Sequence, residues 1–261
     1  MVENGNPPKI VFIIPYRDRE NQKNLFIRQM HYVLEDIPSE DYKIYFSEQC
    51  DARDFNRGAM KNIGFLAMKL KYPNDYKNIT FIFNDVDTIP YRKNFLNYQT
   101  SPNVVKHFFG YDYTLGGIIS ILGGDFEKTR GFPNLWSWGF EDNMFQKRVL
   151  DNGLKIDRGQ FFVMGGKEII QLSDELFKTV NRTEFDRYLK NTDDGLHTIQ
   201  SLDYIIDEEN LTIRVTQFNT PFNNDPTKNT LFNIQDGKSP FKNVANGRKG
   251  RFGNVAMKMF I

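Results

Sequence analysis

The chain has 261 residues and a formal net charge of +1, with 26% charged and 39% hydrophobic residues. This length suits one large domain with a sizeable core, and the balanced charge gives no general case for nucleic-acid binding. Cys50 is the only cysteine, which excludes an internal disulfide and fits a reducing compartment. Residues 1–9 are polar and no run approaches about 18 apolar residues. We therefore expect no signal peptide, no membrane span, and a soluble protein with a cytoplasm-like location.

The first half of the chain predicts alternating strands and helices. Apolar runs predict strands at residues 10–14, 42–46 and 79–83, and apolar residues at helical spacing predict helices at residues 21–36 and 56–70. The Asn56 side chain is expected to cap the second helix by accepting a hydrogen bond from a backbone N–H. Strand, helix and strand at this spacing are typical of a right-handed βαβ unit in a parallel sheet.

The second half of the chain gives weaker signals, and residues 91–114 show no assignable pattern. Similar patterns predict strands at residues 115–122, 161–164, 169–172 and 211–215, and helices at residues 126–130, 141–150 and 184–190. From Pro221 the composition changes to Asn, Lys, Pro and Gly. We predict a domain over residues 1–220 and a C-terminal extension over residues 221–261, packed on the domain or trailing from it. The alternative is an acceptor- or partner-binding arm with a basic cluster at residues 247–252.

Two carboxylates follow the strand predicted at residues 79–83. Asp85 and Asp87 are two residues apart, so an extended backbone places both side chains on the same side. Ligands of open α/β sheets bind beyond the carboxyl ends of the strands. Such a pair can hold Mg²⁺ or Mn²⁺ against a nucleotide diphosphate. A solvated turn after a strand would give the same pattern, so other motifs have to decide between the two.

Residues 131–142 are the most unusual stretch of the sequence. They contain both tryptophans of the protein, together with Glu141 and Asp142 at the start of a predicted helix. The helix dipole favours acidic residues in a first turn, which is the structural explanation for this pair. Gly116 and Gly117 precede this stretch and indicate a place where a ligand or the backbone approaches closely.

Four motifs resemble the β-1,4-galactosyltransferase family in their order and spacing. They are Pro15-Tyr-Arg-Asp-Arg19, Phe55-Asn-Arg57, Asp85-Val-Asp87 and Trp138-Gly-Phe-Glu-Asp142. The resemblance covers about residues 9–220. The last motif is the most specific, and polypeptide N-acetylgalactosaminyltransferases and chondroitin-type polymerases share it. The resemblance implies an α/β fold of the GT-A type, Rossmann-like and nucleotide-sugar-binding, with a central, mostly parallel sheet. It also implies transfer with inversion of the anomeric carbon.

The resemblance implies a nucleotide-sugar site. Its implied members are Pro15, Tyr16, Arg17, Arg19, Phe55, Arg57, Asp85, Val86, Gly117 and Trp138. Guanidinium groups suit phosphate oxygens and uracil carbonyls, and an aromatic ring can stack on the base. Asp85 would contact the ribose or the metal shell, and the Trp138 loop would fold over the donor and exclude water.

The resemblance implies that Asp142 is the catalytic base. Inversion by direct displacement needs one carboxylate near the acceptor hydroxyl, on the face opposite the departing nucleoside diphosphate. Glu141 would hold the acceptor or the donor sugar by hydrogen bonds.

By the same resemblance, Asp87 would ligate Mn²⁺ or Mg²⁺. The family completes its metal site with a Met-x-x-His segment, which here falls on Ile169 and Leu172. Neither side chain can bind a cation, although diphosphate oxygens and water can complete the shell of Asp87. Further candidate oxygen donors are Gln171 and Asp174. We expect a bound divalent ion; the alternative is a metal-poor site in which the arginines of the first motif neutralise the diphosphate.

Two departures from the family concern the substrates. Phe140 replaces a usual glycine and is expected to narrow the floor of the acceptor site. Thr114 stands where a bulky Tyr is common, which leaves room for an N-acetyl group on the donor. The expected donors are UDP-galactose, UDP-N-acetylgalactosamine or UDP-glucose, and the expected acceptor is a glycan or glycoconjugate hydroxyl. The alternatives are a catalytically inactive nucleotide-sugar- or glycan-binding module and a metal-dependent nucleotidyltransferase.

Overall fold

The computed structural model describes residues 6–172, 176–190 and 193–236, and all structural statements refer to these ranges. The strands are β1 (Ile10–Tyr16), β2 (Tyr42–Gln49), β3 (Thr80–Asn84), β4 (Thr88–Pro90), β5 (Val104–Gly110), β6 (Ile118–Leu122), β7 (Lys155–Asp157), β8 (Phe162–Val163), β9 (Ile169–Gln171), β10 (Phe177–Asn181), β11 (Gln200–Asp207), β12 (Thr212–Asn219) and β13 (Asn229–Asn233). The α-helices are α1 (Glu20–Val33), α2 (Arg57–Lys71), α3 (Gly123–Lys128), α4 (Glu141–Asp151) and α5 (Arg182–Tyr188).

A mixed central sheet organises the fold. Its strand order is β11-β12-β2-β1-β3-β6-β5-β7, and β8 also pairs with β5. Strands β12, β2, β1 and β3 run parallel to one another, whereas β11 is antiparallel to β12 and β6 is antiparallel to both β3 and β5. The predicted α/β fold with a mostly parallel central sheet is confirmed, and the carboxyl ends of β1, β2 and β3 lie at one edge.

The two faces of the sheet carry separate apolar layers. Alternate residues of β1 point to opposite faces, so Val11 packs with the α2 side and Phe12 packs with the α1 side. Helix α2 approaches β1 closely at Gly64, where an added Cβ would lie 2.4 Å from the Ile13 Cγ2 atom. This contact places the first turn of α2 beside the carboxyl end of β1.

Most predicted elements near the site are confirmed. The side chain of Asn56 caps α2 by accepting a hydrogen bond from the Ala59 N–H at 2.9 Å, and α4 begins at Glu141 as expected. Local patterns assigned no element to residues 91–114, which contain β5, and predicted no strand where β11 forms. Both strands depend on pairing with distant neighbours, and local periodicity does not record such pairing.

The described part of the predicted C-terminal extension contacts the rest of the chain. Strand β13 pairs antiparallel with β10 in a separate two-stranded sheet, which the polar composition did not predict. The domain boundary at residue 220 stays a prediction, and residues 237–261, with the basic cluster at 247–252, lie outside the described ranges. None of the described helices combines the length and the apolar character that crossing a bilayer would require.

Candidate active site

The guanidinium group of Arg57 joins two acidic clusters that are distant in sequence. The first acidic cluster is Asp85 and Asp87, directly after β3, and the second acidic cluster is Glu141 and Asp142, at the start of α4. Arg57 donates from Nη1 to Asp85 Oδ2 at 3.1 Å and from Nη2 to Asp142 Oδ2 at 2.9 Å. Its Nε donates to Glu141 Oε1 at 2.7 Å. Asp85, Glu141 and Asp142 therefore meet in one ion-pair network.

Backbone contacts hold the first acidic cluster in place. The Asn84 amide donates to the Thr88 carbonyl oxygen at 2.7 Å, which closes the turn that contains both aspartates. The Asp85 N–H donates to the Gly117 carbonyl oxygen at 3.0 Å. The turn is thus fixed to the residue directly before β6, the antiparallel neighbour of β3.

Lys61 is a residue of this network that sequence reasoning missed. Its Nζ donates to Asp142 Oδ1 at 3.1 Å and lies 3.8 Å from Asp85 Oδ1. The side chain is only 2% exposed, and the ammonium lies 4.4 Å from the centroid of the Phe132 ring. The available signal was its position one helical turn after Arg57, because residues at i and i+4 share a helix face.

The network shifts the pKa values of its members in different directions. Burial would lower the pKa of Arg57, but three carboxylates raise it well above its usual value. Burial raises the pKa of Glu141, and the charge of Asp142 adds to this effect. Burial would also raise the pKa of Asp142, but Lys61 and Arg57 outweigh it, so this pKa lies below its ordinary value. Neighbouring carboxyl groups with diverging pKa values are typical of acid–base sites.

Asp87 lies in an environment that opposes its charge. Burial raises the pKa of Asp87 to about 6, and the negative charge of Asp85 adds to this effect. The positive charges of Arg57 and Arg19 offset only part of the shift. A carboxylate in such a place is stabilised when a cation binds beside it.

The motif at residues 15–19 contacts the motif at residues 55–57 through Arg17. The Arg17 guanidinium lies 5.7 Å from the centroid of the Phe55 ring and donates to the Arg53 carbonyl oxygen. Arg19 lies near enough to Asp87 to lower its pKa. Tyr16 is instead 7% exposed, with its ring edge-on to Phe46.

Three other predicted donor-site residues are in the fold interior or have backbone roles. Pro15 lies within β1 and is buried, and Val86 is 7% exposed and packs with the α1-side layer. At Gly117, φ is 72° and an added Cβ would lie 2.4 Å from the Phe109 carbonyl oxygen. The predicted close approach at this glycine is an approach of backbone, and the donor contacts of these three residues stay predictions.

The two tryptophans have different environments. Trp136 is 2% exposed, stacks on Phe218 at 5.3 Å and donates from Nε1 to the Phe222 carbonyl oxygen at 2.8 Å. Trp138 is partly exposed, and its backbone N–H donates to the Thr179 carbonyl oxygen at 2.8 Å. Trp136 therefore anchors the loop, and Trp138 is the tryptophan that a ligand can reach.

Comparison with known proteins identifies the family. Residues 5–99 match the N-terminal region of glycosyl transferase group 7, and residues 101–171 match a profile described as the N-terminal domain of galactosyltransferase. The chain belongs to the β-1,4-galactosyltransferase-like family. Human β-1,4-galactosyltransferase 1 is 33% identical over 208 residues, which cover 74% of this chain and 50% of the human protein. The Cricetulus griseus β-1,4-galactosyltransferase 4 is 30% identical over 161 residues, covering 58% and 45% of the two chains.

Solved structures of this family show the same fold. One contains a mutant of Drosophila β-1,4-galactosyltransferase 7 in complex with manganese, UDP-Gal and xylobiose, with a TM-score of 0.64 and 22% identity. The match covers 85% of this chain and 97% of the Drosophila chain. The catalytic domain of the same enzyme with xylobiose also gives a TM-score of 0.64, at 24% identity. The chain spans about half the length of the curated relatives that it matches first.

The family's metal-binding segment has no metal ligand at its two expected positions. Strand β9 pairs with β4, and the Leu172 N–H donates to the Asp87 carbonyl oxygen at 2.9 Å, so the segment lies where the resemblance implies. Ile169 is 3% exposed and packs in the core. The Gln171 amide contacts the backbone of Gly165 and Gly166 within its own turn. The other candidate donor, at residue 174, lies outside the described ranges.

The remaining donor set is made of carboxylates. No group of three or more His, Cys, Asp or Glu able to hold a metal ion occurs within the described part of the chain. Asp85 Oδ1 is buried without a hydrogen-bond partner there, and Asp87 follows two residues later. Carboxylate oxygens suit Mg²⁺ and Mn²⁺, which keep several waters. The residues present therefore fit a hard divalent ion that takes only a few of its ligands from the protein.

Phe140 packs in the fold interior, and the expectation that it narrows the floor of the acceptor site stays a prediction. Its ring is 4% exposed and packs at 4.5 Å on Phe185, within an apolar cluster that includes Met144. Its φ of 76° lies in the left-handed region, which glycine adopts without strain and which explains the family's usual glycine. Thr114 is buried at 7% exposure, and its influence on the donor stays a prediction.

Proposed function

We propose that this chain is an inverting glycosyltransferase that moves a hexose from a UDP-sugar to a hydroxyl of a glycan or glycoconjugate. The observation that carries the proposal is the contact of Arg57 with Asp85, Glu141 and Asp142, which joins the two acidic clusters. The family membership supports the reaction class. The UDP-Gal and xylobiose bound to the Drosophila relative support this donor and acceptor chemistry.

Asp142 is the base of the proposed reaction. Its lowered pKa keeps it ionised at neutral pH, so it can accept the proton of the acceptor hydroxyl. The acceptor oxygen attacks the anomeric carbon as the bond from that carbon to UDP breaks, and the single displacement inverts the configuration. Glu141 Oε2 is buried without a hydrogen-bond partner among the described residues. It therefore has an acceptor site free for a sugar hydroxyl.

Positive charge near the first acidic cluster would balance the leaving diphosphate. Arg17 and Arg19 would contact phosphate oxygens bidentately, and the Phe55 ring would stack on the uracil. Asp87, with Asp85 beside it, would hold Mn²⁺ or Mg²⁺, and the ion would neutralise charge on the departing UDP. Which hexose the donor carries is part of the proposal, and the cytoplasm-like location stays a prediction.

The test compares the wild type with Asp142→Asn. UDP release from UDP-galactose, UDP-N-acetylgalactosamine and UDP-glucose would be measured with a panel of glycan acceptors. We expect Asp142→Asn to lower the turnover by at least about 100-fold, while the Kd for UDP stays within about threefold of the wild type. Asp151→Asn, at the exposed end of the same helix, should leave turnover unchanged.

The second candidate is an inactive nucleotide-sugar-binding module, which Leu172 in place of a metal-ligating histidine favours. Such a module would bind UDP-sugars but release no UDP with any acceptor, and it would respond equally to both aspartate substitutions. Full turnover of Asp142→Asn would remove this residue from the mechanism.

A further inference from the structure

The proposed reaction does not by itself require the buried ammonium of Lys61, which lies beside Asp142. Lys61 is 2% exposed and lies against the face of Phe132. Removing an ammonium from water costs several kcal/mol unless a partner compensates. An apolar residue in this position would fill the same space on α2 without that cost. Packing therefore does not explain why a charged residue occupies this position.

The contacts of Lys61 concentrate on Asp142. Its Nζ donates to Asp142 Oδ1 at 3.1 Å, while Arg57 donates to Oδ2 of the same carboxylate at 2.9 Å. Each oxygen of the base thus has its own cation. Arg57 is shared with Asp85 and Glu141, whereas Lys61 has its other carboxylate contact at 3.8 Å.

The third side of the Asp142 carboxylate is closed by backbone. A Cβ on Gly116 would lie 2.2 Å from Asp142 Oδ2, so this oxygen rests directly on the glycine. The carboxylate is held between Gly116, Arg57 and Lys61, and rotation about its terminal bond would break at least one ion pair. Each carboxylate oxygen keeps a second lone-pair direction for an acceptor hydroxyl.

We propose that Lys61 is a positioning residue, whose ammonium holds the Asp142 carboxylate ionised and correctly oriented to take the proton of the acceptor hydroxyl. The inference rests on the proposed function. In the step, the acceptor O–H bond breaks, a new O–H bond forms on Asp142, and the acceptor oxygen bonds to the anomeric carbon as UDP departs. The two cations then favour release of the proton from Asp142 to water, which restores the base.

The other charged groups around Asp142 do not replace Lys61. Glu141 is negative when ionised and opposes the ionisation of its neighbour. His107 is buried, and burial lowers its pKa to about 4, so it is neutral where the enzyme would be assayed. Asp85 faces Arg57 and Lys61 from the first acidic cluster. Loss of Lys61 would therefore leave one oxygen of Asp142 without a cation.

The experiment compares Lys61→Met with Lys69→Met. Methionine keeps the length and the contact with Phe132. Lys69 lies on the same helix as Lys61, away from the site, and forms an ion pair with Glu127 of α3. For Lys61→Met we expect kcat to fall about tenfold or more and the acid limb of the pH–rate profile to move up by about one pH unit. The Kd for UDP should change less than about threefold, and Lys69→Met should match the wild type.

A titration independent of activity separates this inference from the proposed function. The ¹³C-carboxyl signal of Asp142, assigned with Asp142→Asn, should titrate at a higher pH in Lys61→Met than in the wild type. An unmoved titration would overturn the role of Lys61. A moved titration in a protein that transfers no sugar would support the pairing and overturn the proposed function. If Lys61→Met does not fold, Lys61→Gln takes its place, with the same expected shift.

Discussion

At the scale of single residues, the structure places Asp87 where its ionisation is unfavourable. Its pKa rises from 3.8 to about 6 in the folded protein, because of burial and the charge of Asp85. The folded state therefore holds a proton more tightly than the unfolded chain, and stability from this group falls as the pH rises through about 6. We expect Asp87→Asn to increase the free energy of unfolding by about 2 kcal/mol at pH 7.5 and by little at pH 3.5.

Urea unfolding at the two pH values, without divalent ions, checks this expectation. Asp151→Asn is the matched control, because Asp151 is exposed and its substitution should change stability by less than about 0.5 kcal/mol at either pH. An Asp87→Asn effect of equal size at both pH values would show that the carboxyl is not destabilised by its surroundings. If replacing this candidate metal ligand stabilises the protein, the native carboxylate is kept for function although it lowers the stability.

At the scale of elements, a residue with left-handed backbone flanks each end of α4, but the two residues are of different types. Phe140 precedes the helix with φ at 76°, and Gly153 follows it with φ at 73° and open space where a Cβ would lie. The strain at Phe140 costs about 1–2 kcal/mol, whereas burial of its ring contributes about 3 kcal/mol or more. We expect Phe140→Gly to destabilise the protein by about 2 kcal/mol, although it removes the strain.

Gly153→Ala supplies the control for backbone strain alone. It adds no clash, so we expect only the left-handed penalty of about 1 kcal/mol. Thermal and urea unfolding of both variants measure these costs. A stabilised Phe140→Gly variant would mean that the contact with Phe185 contributes less than the strain costs.

At the scale of the whole molecule, ligand binding at the site couples to folding. A ligand that binds the folded state alone raises its stability by mass action. With UDP present, Mn²⁺ should raise the Tm of the wild type by a few degrees, about 3 °C or more. For Asp87→Asn, the ion should increase the Tm only slightly.

Transfer activity should disappear in EDTA and return with Mn²⁺ or Mg²⁺. Unchanged activity in saturating EDTA would instead indicate that Arg17 and Arg19 neutralise the diphosphate without a metal ion.

Local sequence patterns determined the framework that carries the site. Apolar runs specified β1 and β3, and the Asn56 cap specified the start of α2, because both signals lie within a few consecutive residues. The acidic pairs could be placed at a sheet edge and at a helix start by the same logic. Strands β5 and β11 were missed because their stability comes from neighbours in the sheet and not from their own alternation.

The tertiary structure alone decided which of these groups act on each other. Lys61 contacts Asp142 across 81 residues of sequence, and the Phe140 ring packs in an apolar cluster to which the loop before α4, α4 and α5 all contribute. Such contacts depend on how helices pack against a completed sheet, and the spacing of residues along one segment does not record that packing. The sequence by itself determined the elements that have a clear local periodicity, together with the chemistry available at their ends. The pairing of each charge with its partner depends on distances that exist only after folding.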